Sequence, residues 1–289
     1  MNRLILSVLL VLSVCGRGEA LPLARRIAED SIDSRLALNE SFDPKCLSRF
    51  LDYPPAPAAA NSTILTEHFV TPFKPNPKFW AEGVDFTCAS PWNSGAGRLR
   101  AGTAISPRHI IFAKHFPLWK GVRIVFVGTD ASPSAYYIEK TKALEGCDIM
   151  LGLLDAELTP DIHPAKIMPL DFTNHLGRAE GLPVVTLSQD EKAYVSELRP
   201  LLTNSVYDLV NYVEPKDERR AKYFGNIHGG DSGSPVFVII GKEPVLLFFM
   251  TTSMGGYGVH YFRREIQAAM DELCPGYQLA CFDFSKLES

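Results

Sequence analysis

The chain has no run of basic residues, no glycine-rich phosphate loop and no Cys/His spacing of the zinc-binding kind. No metal or organic cofactor is implied. A formal net charge of -4 offers nothing to attract nucleic acid or an anionic membrane. Beyond the first twenty residues no segment is apolar for the ~20 residues a bilayer span needs. No internal repeat stands out. No cysteine lies beside a plausible base, so none is read as a nucleophile. What is there is ordinary globular composition: 46% hydrophobic and 21% charged over 289 residues. That is enough for one large domain or two small ones.

The first twenty residues form a secretory signal. Arg3 supplies the positive start, Leu4 to Val14 an uncharged apolar run, and Gly18-Glu19-Ala20 small residues where a signal peptidase cuts. The expected location is therefore secreted or periplasmic. Leu12-Ser13-Val14-Cys15 faintly resembles a lipidation signal, but Val14 is bulky where that signal wants a small residue. Without the signal, Cys46, Cys88, Cys147, Cys274 and Cys281 remain. An odd count in an oxidising compartment implies a free thiol or an intermolecular bridge. Cys274 and Cys281 are near enough in sequence to close a small loop; burial of all five as small hydrophobes is an equal alternative.

Residues 21–63 read as a pro-segment or linker. Leu23 to Leu38 has loosely helical spacing, and Tyr53 to Ala60 is proline- and alanine-rich. Arg25-Arg26 is a weak dibasic cleavage signal. Asn39-Glu40-Ser41 and Asn61-Ser62-Thr63 fit glycosylation sequons, which matter only in a eukaryotic source. From residue 64 to 289 the texture is β. Short runs rich in Val, Ile, Phe, Tyr and Thr recur between turn residues: Ile110 to Ala113, Val122 to Val127, Ala135 to Glu139, Ile149 to Leu154, Pro183 to Leu187, Val206 to Tyr212, Val236 to Ile240 and Val245 to Thr251. Such a series predicts a sandwich or barrels. Phe262 to Leu273 has Ile266, Ala269 and Met270 on one helical face, and Pro275-Gly276 stops it.

Three segments carry chemistry. A serine hydroxyl needs a base within hydrogen-bond reach, the base needs an orienting acid, and the developing oxyanion needs N–H donors. Gly230-Asp231-Ser232-Gly233-Ser234-Pro235 opens an apolar strand, and its glycines allow a turn that aims the Gly230 and Ser232 N–H groups at one spot. Gly102 to Phe116 reads as a hairpin turning at Ser106-Pro107 and ending at His115. His109, at the turn end, is the competing histidine. Asp148 precedes the apolar run Ile149 to Leu154, where it can be buried at the mouth of a strand.

These segments together resemble the trypsin-like (chymotrypsin-fold) serine peptidases. The serine segment is similar to that family's serine motif. Ile110 to Phe116 resembles its Ala-Ala-His-Cys strand, with Lys114 and Phe116 as departures, and Cys147-Asp148-Ile149 resembles its Asp-Ile-Ala-Leu-Leu segment. The order His115, Asp148, Ser232 is the family's and differs from that of subtilisin-like and α/β-hydrolase enzymes. The resemblance spans roughly residues 80 to 273 and marks a divergent, bacterial-type member.

It implies an all-β fold of two six-stranded antiparallel barrels, about 64–175 and 176–262, followed by a helix over 262–273. It implies a monomeric endopeptidase acting on protein or peptide. His115 would be base then acid, Asp148 its orienting partner, Ser232 the nucleophile, and the Gly230 and Ser232 N–H groups the oxyanion hole. In the family Asp231 usually meets a newly cut N-terminus. No Ile-Val-Gly-Gly site precedes this domain, so either the hole is preformed or another group meets Asp231. Asn226 stands where the family often floors its specificity pocket, and it is not the Asp of a trypsin-like preference. His228 replaces a frequent disulfide cysteine. His260 is placed near the pocket, with a surface position as the alternative, and Met250-Thr251-Thr252 is expected to pair with substrate. A catalytically idle binding module and an esterase on the same three residues are the competing functions.

Overall fold

The computed structural model describes residues 21–39, 41–51, 72–90, 92–93, 100–189, 191–199, 209–226 and 228–287. The expected signal segment, the proline-rich linker, the sequon at Asn61 and the start of the strand expected at Val206 lie outside the described residues.

The first sheet comprises β1 (Ala89–Ser90), β2 (Trp92–Asn93), β3 (Gly102–Ala104), β4 (His109–Ala113), β5 (Arg123–Val127), β6 (Pro133–Ala143) and β7 (Ile149–Leu154). Their order is β1-β3-β4-β7-β6-β5-β2, antiparallel throughout. β1 and β2 are consecutive in the chain yet stand at opposite ends of this order, so the sheet curls back on itself. Taken as one interrupted strand, they make it six-stranded. The second sheet comprises β8 (Pro183–Leu187), β9 (Ala193–Leu198), β10 (Leu209–Val213), β11 (Pro235–Ile240), β12 (Glu243–Phe249) and β13 (Gly255–Tyr257), in the order β12-β11-β8-β9-β10-β13. A bridge from Phe248 to Gly258 draws its ends together. The fold is thus all-β as expected: one nearly closed barrel and one half-barrel.

Side-chain alternation explains how the sheets join. In β4, Ile110 and Phe112 enter the core inside the first sheet, with Ile124, Phe126 and Leu154. Ile111 and Ala113 face the other way, into a core shared by both sheets. In β11, Phe237 and Ile239 enter that shared core, while Val236, Val238 and Ile240 fill a third. The period of two sends alternate residues to opposite faces, so a strand buried on both reads as a continuous apolar run. Each fully buried side chain of the size of Phe237 contributes about 2 kcal/mol, and the shared core sets one sheet firmly against the other.

The N-terminal segment belongs to this body. Helix α1 (Leu23–Ala37) buries Ala28, Ile32 and Leu36 at four-residue spacing. Arg25, half of the dibasic pair, is buried and donates to the carbonyl oxygens of Arg178 and Glu180. Arg220 grips Asp33 with two hydrogen bonds of 2.8 and 2.7 Å and reaches Glu197 at 3.0 Å. A 3-10 turn, Pro44–Leu47, follows. Bridges from Ser48 to Lys192 and from Phe50 to Pro75 then fasten residues 48–50 to the rest.

Short helices α2 (Phe172–Leu176) and α3 (Glu218–Ala221) interrupt the strands. Helix α4 (Arg263–Leu273) buries Ile266, Ala269, Met270 and Leu273, as its periodicity predicts. It is anchored to β6 by a 2.6 Å Lys142–Glu272 ion pair. The five cysteines among the described residues are free thiols: Cys46, Cys88 and Cys147 are buried, Cys274 and Cys281 half-buried. The loop closure that sequence proximity allowed for Cys274 and Cys281 is therefore not made. Among the described residues no helix is long and apolar enough to cross a membrane.

Candidate active site

Strand register brings the first two site residues together. β4 and β7 pair antiparallel with Ala113 opposite Ile149. Two residues beyond Ala113 is His115, and one residue before Ile149 is Asp148, so both leave the sheet at the same end. The Lys114 N–H donates to the Asp148 carbonyl at 3.2 Å, which continues the ladder there. One oxygen of Asp148 accepts the His115 backbone N–H at 2.8 Å; the other lies 2.5 Å from His115 Nδ1. A carboxylate only accepts, so this contact puts a proton on Nδ1 and leaves the Nε2 lone pair free. His115 Nε2 lies 2.8 Å from Ser232 Oγ. Three residues from two sheets thus form one hydrogen-bonded chain, with the imidazole open to solvent and Asp148 half-buried. A neutral imidazole in that tautomer can take a proton from the hydroxyl.

The rival histidine is excluded by its surroundings. His109 is fully buried, 2.8 Å from Ser106 Oγ through Nδ1 and edge-on to Tyr277. Burial pushes its pKa down to about 4, so it stays neutral in the core.

The serine loop is a tight turn between the two sheets. Gly230 has φ +114° and Gly233 φ +92°, a region that favours glycine. A Cβ on Gly233 would lie 2.7 Å from the Ala101 carbonyl oxygen, so the first sheet presses directly on this turn. The Gly233 N–H donates to Met250 O at 2.7 Å and the Met250 N–H to Ser234 O at 2.9 Å, pinning the turn to the end of β12. The Gly230 and Ser232 N–H groups meet no acceptor among the described residues.

Asp231 is almost fully buried. Its carboxylate accepts the Gln189 N–H at 3.1 Å on one oxygen and the His228 N–H at 2.7 Å on the other. Groups within the fold, backbone amides among them, therefore meet Asp231. Tyr212 lies close by in the core, its phenol pushed up by burial and by the Asp231 charge. Neither Gln189 nor Tyr212 was singled out from sequence. Gln189 acts through its backbone, which leaves no residue-type signal, and Tyr212 reads as an ordinary strand residue.

The expected pocket residues fare differently. Asn226 and His228 are exposed, and the contact His228 makes with this loop is through its backbone. Thr251 is half-buried, with its hydroxyl unpartnered among the described residues. The expectation of an extended substrate-pairing strand at Met250-Thr251-Thr252 is corrected. The Thr251 and Thr252 N–H groups both turn inward to the Gly255 carbonyl at 3.0 Å, because a short turn leads straight into β13. His260 is also corrected, from pocket or surface to core. It is buried, edge-on to Phe172 at 5.1 Å and 4.0 Å from the Tyr261 ring. Burial pushes its pKa down to about 4, and neither ring nitrogen has a hydrogen-bond partner among the described residues.

Among the described residues no cluster of three or more His, Cys, Asp or Glu side chains could hold a metal ion. The fold and this hydrogen-bonded chain define a two-sheet β protein with a Ser–His–Asp arrangement joining the two sheets. Comparison with protein-family models finds no matching family, and comparison with curated proteins finds no match.

Proposed function

We propose that the chain is a secreted serine endopeptidase of the trypsin-like kind, working through an acyl-enzyme. The observation that carries this reading is the continuous chain Asp148–His115–Ser232, with contacts of 2.5 and 2.8 Å. His115 Nε2 takes the Ser232 proton as Oγ attacks the substrate carbonyl carbon. Asp148, already bonded to Nδ1–H, stabilises the imidazolium that results. The carbonyl oxygen becomes an oxyanion and is held by the Gly230 and Ser232 N–H groups. His115 then gives its proton to the leaving amine as the C–N bond breaks, and Ser232 keeps the acyl group. Water repeats the sequence: His115 takes its proton, the hydroxide adds to the acyl carbon, and Ser232 leaves reprotonated. No cofactor enters any step. Protein or peptide is the substrate, and the enzyme works as a monomer.

One observation favours a second reading. An extended peptide needs backbone partners beside the nucleophile, and the Thr251 and Thr252 amides are already used by Gly255. A small ester does not need them, so an esterase on the same three residues fits this feature. A panel of internally quenched peptides and short-chain aryl esters separates the two. Peptide cleavage abolished by Ser232→Ala supports the endopeptidase. Ester turnover without peptide cleavage supports the esterase, and no Ser232-dependent turnover of either contradicts both.

A further inference from the structure

The turn joining β8 to β9 has an unusual residue at its base. Glu191 is fully buried, sits at φ +55°, and has neither carboxylate oxygen hydrogen-bonded among the described residues. A left-handed conformation at a non-glycine residue costs on the order of 1 kcal/mol and persists only where the surroundings dictate it. Here they do. The Glu191 N–H donates to Ser188 O at 3.0 Å, and the Ser188 N–H donates to Lys192 O at 3.0 Å. Further contacts come from the N-terminal segment. The Arg49 N–H donates to Glu191 O at 3.2 Å, Arg49 Nη1 lies 3.8 Å from Glu191 Oε1, and Ser48 bridges to Lys192. The Arg49 guanidinium also reaches the carbonyl oxygens of Phe86 and Val127 at 3.4 Å. It therefore ties the turn to the first sheet as well.

The same turn carries Gln189. Its backbone N–H is one of the two named donors to Asp231, and its side-chain amide packs against Gly230: a Cβ on Gly230 would come within 2.8 Å of Gln189 Nε2. The path from Arg49 to the serine loop is thus short and made of direct contacts.

We propose that Arg49 and Glu191 are positioning residues for the Ser232 loop: through their contacts the N-terminal segment sets the turn whose Gln189 backbone N–H holds Asp231 and whose Gln189 side chain backs Gly230. The inference rests on the reading of Ser232 as nucleophile. It gives residues 48–51 a function that a freshly cut N-terminus would otherwise have, and it makes the segment a permanent part of the working protein. Neither residue touches the reacting atoms, so the loss should appear in the transition state and not in substrate binding.

The test uses the full mature chain carrying Arg49→Met, Glu191→Met or Arg49→Lys. Asp33→Asn serves as a control that loosens α1 elsewhere. Hydrolysis is read as kcat and KM on an aryl ester, and amide hydrogen exchange is read over residues 228–233. The expected result is a kcat lower by roughly 10- to 100-fold in both Met variants, with KM within about twofold. Exchange at 228–233 should quicken in step. Arg49→Lys should recover most of kcat, and Asp33→Asn should lower the melting temperature without changing kcat or exchange at 228–233. Wild-type kcat and exchange in both Met variants would overturn the proposal, as would an equal effect from Asp33→Asn. If wild type hydrolyses nothing, the reading of Ser232 fails by itself. The exchange measurement then still decides whether Arg49 and Glu191 set the loop.

Discussion

Glu191→Gln should change how stability depends on pH. Burial pushes the Glu191 carboxyl up to about 7 from its usual 4.5, with Arg49 pulling it the other way. Below pH 4.5 the group is protonated in folded and unfolded chains alike and contributes nothing. Between 4.5 and 7 the unfolded chain has released its proton while the folded chain keeps it. Unfolding then releases a proton, so stability falls as pH rises. Above 7 the full difference is lost. At roughly 1.4 kcal/mol per pH unit this amounts to about 3 kcal/mol. Among the described residues, Arg49 faces the Glu191 carboxylate, and the Cys88 thiol nearby is pushed up by burial. Glutamine keeps the shape and does not ionise. Urea melts of both proteins at pH 4 and pH 8.5 provide the check. Relative to wild type, Glu191→Gln should gain about 3 kcal/mol between the two conditions. Parallel pH profiles, within about 0.5 kcal/mol, would refute the reasoning.

Asp148→Asn should lower kcat for ester hydrolysis by on the order of 10²–10⁴-fold, because an amide can present its N–H to Nδ1 and so favours the wrong imidazole tautomer; steady-state kinetics on folded protein reads this. In Asp231→Asn one of the two backbone amides at 3.1 and 2.7 Å must face an NH2 group. A stability loss of about 2–4 kcal/mol by chemical denaturation is expected, with a larger proportional loss in kcat than in KM. Gly233→Ala places a methyl 2.7 Å from Ala101 O at φ +92°, and a loss of at least about 2 kcal/mol should appear as a lower denaturation midpoint.

Much of this was legible from residue order. β7 and β8 match their apolar runs residue for residue, and α4 differs from its expected span by one residue. The expected contacts His115–Asp148 and His115–Ser232 are made; the first follows from the register that sets a histidine past the end of β4 beside an acid just before β7. What was not legible depends on backbone direction. His260 reads as a polar residue after a turn, yet the chain folds it inward onto Phe172. Thr251 and Thr252 extend an apolar run, yet Gly255 captures their amides. Gln189 and Glu191 sit in a polar turn with no motif, and their importance comes from where Arg49 and Asp231 arrive from distant sequence.

We propose that Ser232 is a nucleophile activated by His115. Its most direct measurement is reaction of the folded mature protein with a fluorophosphonate, followed by peptide mass spectrometry. One adduct is expected, on Ser232, lost in Ser232→Ala and formed far more slowly in His115→Ala. A folded wild-type protein that forms no adduct, or one modified elsewhere, would contradict it.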